Sequence, residues 1–74
     1  MVLEQGKYYW IEKPYGGGEH IKVLNDMGDG WYKIEGSHGT PSDPPAKIVR
    51  YLNLNSLISV QDVKIVGNQY RAAV

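Results

Sequence analysis

The chain has 74 residues, with eight Lys and Arg balancing eight Asp and Glu, two Trp, six Tyr, no Phe and no Cys. That length is one small domain, 1–74, near the size at which a single core only just offsets chain entropy, which leaves no room for a separate catalytic domain. Missing cysteine excludes disulfides, thiolate zinc sites and thiol nucleophiles, and the balanced charge gives no global field for nucleic acid or anionic lipid.

A domain this small without staples must be held by packing or by oligomerisation. A reducing, cytoplasmic setting fits the cysteine count. Met1–Gly6 shows no charged-then-apolar leader, and no apolar run reaches membrane-spanning length, so neither secretion nor insertion is indicated. Tyr and Trp bury a large ring but carry a polar tip, so several are expected at the rim of the core, a composition that favours a binding surface.

The first expected strand is Lys7–Glu12, dense in aromatic and β-branched residues and stopped by Pro14. Tyr15-Gly16-Gly17-Gly18 is a loop, either a flexible tip or a site needing positive φ. His20–Asn25 is the second strand, with Ile21 and Val23 on one face and His20, Lys22 and Leu24 on the other. Asn25–Gly30 has the composition of a tight hairpin.

Trp31–Glu35 is the third strand, in which Tyr32 and Ile34 share a face opposite Trp31, Lys33 and Glu35. Gly36–Pro45, rich in proline, reads as an extended, partly polyproline-like loop. Lys47–Leu52 is the fourth strand and Asn53–Ser56 a short helical turn. Leu57–Val60 and Val63–Val66 are strand segments separated by Gln61-Asp62, and 69–74 reads as a frayed tail. Five to six short antiparallel strands with no stretch of helical period give an all-β fold. A small barrel is expected, because closure removes exposed edges.

Glu19, the aliphatics Ile21, Val23 and Leu24, the turn Asp26–Gly30, the pair Trp31-Tyr32 and the strand Lys33-Ile34-Glu35 follow one another in a recognisable order. Together they resemble the central hairpin of Src-homology-3 (SH3) domains and their bacterial SH3-like relatives. Tyr51-Leu52, Asn55 and Leu57–Val60 match the later aromatic or aliphatic pair, helical turn and closing strand, so the resemblance covers a little over half the chain. It implies an SH3-like barrel and a groove led by Trp31, with Tyr8, Tyr9 or Tyr15 standing for the aromatics after the first strand. Asn53 and Ser56 stand where that family carries Pro and Tyr, and Lys13–Gly18 is shorter than its acidic loop, so binding of proline motifs is not implied.

No cofactor, metal or catalytic set emerges. The triple glycine lacks the Lys-Ser or Lys-Thr and the helix of a phosphate loop. Asp26–Gly30 lacks the third oxygen ligand and the distal bidentate Glu of a calcium loop. Ser37-His38 and Ser42-Asp43 have the residue types of a hydrolase triad without its rigid support, and His20 with His38 offers two metal ligands without a third.

The reading is therefore a non-enzymatic protein-interaction module, a small bacterial or phage accessory protein, that docks an extended segment of a protein partner on Trp31, Tyr9, Tyr15 and Tyr51. The alternative is single-stranded nucleic-acid binding on a basic stripe of Lys22, Lys33, Lys47, Arg50 and Lys64 interleaved with aromatics, against which Glu12, Glu19 and Glu35 intrude. Self-association is a third reading, through Val2-Leu3 or Ile58–Val60 left unburied.

Overall fold

The computed structural model describes residues 2–36, 48–66 and 69–72. Six strands, β1 (Tyr8–Glu12), β2 (Gly18–Gly28), β3 (Trp31–Gly36), β4 (Ile48–Asn53), β5 (Ser59–Val66) and β6 (Gln69–Ala72), surround one 3-10 turn, Leu54–Ser56. They form one sheet in the order β4-β3-β2-β1-β5-β6, antiparallel at every pairing.

Strand alternation decides what is buried. Tyr9 and Ile11 of β1, Ile21 and Val23 of β2, and Tyr32 and Ile34 of β3 form the core with Leu3. Each fully buried aliphatic among them contributes about 1.5–3 kcal/mol through water exclusion. Leu52, Leu54, Leu57 and Val60 close the cluster from the other side. The N-terminal segment is tied down by two rings, for Leu3 N donates to the Tyr32 hydroxyl at 3.2 Å and Glu4 N to the Tyr9 hydroxyl at 2.9 Å. These bonds satisfy the polar tips of the two buried tyrosines.

The all-β class and the position of the helical turn follow the sequence reading, while several details differ, β2 running over Gly18–Gly28 rather than His20–Asn25. The expected barrel is an open sheet: β5 gives its free side to β6, so β4 and β6 stay as edges with no ladder between them among the described residues. Residues 69–72, expected as frayed tail, pair with β5 from Val63↔Ala72 to Val66↔Gln69. Gln61-Asp62 does not interrupt β5, because both residues lie within its ladder to β1, opposite Trp10 and Tyr9. The proline-rich loop lies outside the described residues beyond Gly36. Of the segments considered for self-association, Leu3 is buried and Val60 half-buried, while Val2 and Ile58 are exposed. No helix among the described residues is long and apolar enough to cross a membrane.

Candidate functional site

Three tight turns bring the site together. At Lys13–Gly16, Gly16 N donates to the Lys13 carbonyl at 3.1 Å while Lys13 N donates to the Gly17 carbonyl at 3.1 Å. Pro14 sits at the second position, where its fixed φ suits the bend, and Gly16 and Gly17 take φ of +92° and +85°. Tyr15 is thereby held at the tip, 88% exposed.

Between β2 and β3, Asp29 and Gly30 take φ of +56° and +84°, the pair of positive values that marks a type I′ hairpin turn. Asp26 Oδ1 accepts from Gly28 N at 2.9 Å just before it, so this acidic segment serves as turn chemistry. Trp31 begins β3 at once and faces outward, opposite to buried Tyr32.

The third turn follows β4. Asn53 Oδ1 accepts from Asn55 N at 2.9 Å, Ser56 Oγ donates to the Asn53 carbonyl at 2.7 Å, and Leu54 N donates to the Gly30 carbonyl at 2.8 Å. This last bond locks the 3-10 turn onto the β2–β3 hairpin. A Cβ at Gly30 would lie 3.3 Å from Asn55 Nδ2 and 3.4 Å from Asn53 Oδ1. Glycine at 30 thus serves both the turn and the close approach of the asparagines.

The result is a cleft of about 750 Å³ in which the rings of Tyr15, Trp31 and Tyr51 share one wall system with Leu52 and Leu57. Trp31 is 46% and Tyr51 58% exposed. The cleft volume lies in the range of small-ligand sites. Its sides include residues 50–53 of β4, an edge strand.

Lys13 and Arg50 also line the cleft, and among the described residues no carboxylate does. Both are drawn toward Glu19, which faces the core side of β2 and is buried: Lys13 Nζ lies 3.4 Å from Glu19 Oε1, and the Arg50 guanidinium pairs with the same oxygen. No other described donor reaches the carboxylate, so these two cations compensate its burial. Gly36 makes room for the arrangement, since a Cβ there would lie 2.8 Å from Arg50 Nη1 and 3.3 Å from Glu19 Oε2.

Of the four ring residues expected at the partner surface, Tyr15, Trp31 and Tyr51 line the cleft. Tyr9 does not: it shares the inward face of β1 with Ile11 and is 3% exposed. The alternation Tyr9/Ile11 carries that signal. The expected basic stripe divides. Lys22 and Lys33 lie on the outer face with Lys22 directly opposite Glu35, whereas Arg50 lies opposite Ile34 and pairs with Glu19. Lys22 Nζ instead sits 5.7 Å from the centre of the Tyr8 ring.

His20 lies on the outer face with its ring edge-on to Trp10 at 4.7 Å, and burial lowers its pKa. Among the described residues no three His, Cys, Asp or Glu side chains gather as metal ligands. Ser37, His38, Ser42, Asp43 and Lys47 lie outside the described residues.

Sequence reasoning missed Lys13, Leu57 and the Glu19–Arg50 pair as parts of the site. The only sequence signal was Glu19 itself, a charge on the same alternation as Ile21 and Val23. No family model, curated protein or solved structure matches the chain.

Proposed function

We propose that this is a non-catalytic protein-interaction module of SH3-like type, whose cleft takes an extended segment of a partner protein. The observation that carries this reading is the convergence of Tyr15, Trp31 and Tyr51, from three separate turns and strands, on one cleft beside an edge strand. Exposed aromatic rings are the side chains that dominate interface energetics, because they bury much area for little lost rotamer entropy. An edge strand offers unpaired backbone donors and acceptors along its length, which suits an extended segment better than a rounded ligand.

The SH3-like part of the proposal is supported by element order: hairpin, β4, a 3-10 turn containing Asn55, and then a strand that returns to β1. The nucleic-acid alternative is supported less, since the cations of its stripe are divided between the two faces and Glu35 stands opposite Lys22.

Two substitutions on adjacent residues test the proposal. Trp31→Ala should leave the thermal melt close to that of the parent and abolish enrichment of peptides from a phage library of short random sequences, because its ring faces outward. Tyr32→Ala should cost roughly 3–5 kcal/mol, through the lost ring and the orphaned Leu3 N–H. If the parent domain enriches no peptide, or Trp31→Ala enriches the same ones, the cleft is not the docking site.

A further inference from the structure

Within the proposed docking cleft, the geometry points to an acidic partner: we infer that the extended segment carries Asp or Glu side chains set against Lys13 and Arg50. The inference rests on the docking reading above and adds the chemistry of the occupant. Among the described residues two positive groups line the cleft and no negative one does. The nearest compensating charge, Glu19, lies behind them, with its side chain 4% exposed, and one carboxylate cannot neutralise two cations.

The surplus positive charge is presented where a ligand arrives. Lys13 and Arg50 keep 29% and 30% of their side-chain surface open to solvent, so each can meet a second oxygen without leaving Glu19. A Lys or Arg on the partner would meet the same surplus with the wrong sign and nothing to pair with. Such like-charge placement is how an interface rejects wrong partners.

The cleft is also sided. Lys13 shares its turn with Tyr15 and so enters beside an aromatic anchor, while Arg50 reaches the same cleft from the Glu19 side of β4. An acidic residue flanking an apolar or aromatic anchor in the bound segment is the pattern that follows.

The test is selection from the same random-peptide phage library, followed by titration of the most enriched sequence and of a copy with every Asp and Glu changed to Gln. Enriched sequences should be rich in Asp and Glu and poor in Lys and Arg. The Gln copy should bind roughly two- to fivefold more weakly, the effect of one partly exposed charge pair. Lys13→Gln should remove most of that difference while leaving the Arg50–Glu19 pair in place.

Peptides enriched without an acidic bias, or with a basic one, would overturn the inference and leave the docking cleft standing. Enrichment of no peptide would overturn the docking reading itself and this inference with it. An oligothymidylate that binds more tightly than the selected peptides, through Trp31, would overturn both in favour of nucleic acid.

Discussion

Glu19 is the residue at which the core and the proposed docking cleft meet. It is buried, yet its two counter-ions are each about a third open to water, with side chains 29% and 30% exposed. The asymmetry predicts unequal costs. Arg50→Leu strips the closer cation from a carboxylate that cannot reach solvent and should cost about 3 kcal/mol or more. Glu19→Gln frees two cations that can turn outward and should cost about 1 kcal/mol. Urea titration of both variants measures this, and a larger loss in Glu19→Gln would show that the carboxylate is not the constrained partner.

His20 gives the fold a pH dependence of definite sign. Burial on the outer face lowers its pKa below the ordinary value of 6.5, so the folded chain resists a proton that the unfolded chain accepts. The stabilising contribution is therefore complete above about pH 6.5 and is lost as pH falls through the lower folded value. Melting temperatures of the parent should decline over that acid-side window more steeply than those of His20→Gln. Parallel curves would mean that His20 titrates alike in both states.

At the scale of elements, turns do the positioning and strands supply the direction. The 3-10 turn depends on the Asn53 side chain, which accepts from Asn55 N, and on the bond from Leu54 N to Gly30 that seats the turn on the hairpin. Asn53→Ala should cost about 1 kcal/mol, as for other lost N-terminal caps, and lower the melting temperature by about 4–8 °C. An unchanged melt would mean that the Gly30 contact alone holds the turn.

Much of this was legible from spacing. Ile21 and Val23, Tyr32 and Ile34, and the opposed Trp31 all follow from period-two alternation, and Asp29-Gly30 announces its hairpin by composition. What resisted reading was pairing between distant segments. An acid at the start of a strand ordinarily faces water, and only the arrival of Arg50 from β4, with Lys13 from the neighbouring turn, makes Glu19 tolerable inside. Residues 69–72 have no strand signature of their own and become β6 because β5 offers them a template.

At the scale of the whole molecule, the misjudged feature was closure. Composition could argue that edges need covering, but not which strands would meet. That is decided by β5, which pairs with β1 on one side and β6 on the other, leaving β4 open beside the aromatic cleft. The open edge and the cleft thus have a common origin in the order of the strands.

The central position of β1 has a consequence for how the molecule comes into being. Its first ladder, to β2, joins neighbours in sequence, but its second pairs Tyr8 with Val63 and Glu12 with Ser59. During synthesis β1 must wait, with one side unpaired, until β5 has been made. Until then the β1–β4 meander is an incomplete sheet exposing Ile11 to solvent and to other nascent chains. Closing that span costs loop entropy, and sheets with such non-local pairing fold more slowly than chains built from local contacts. The first of the six strands completes its pairing only with the fifth.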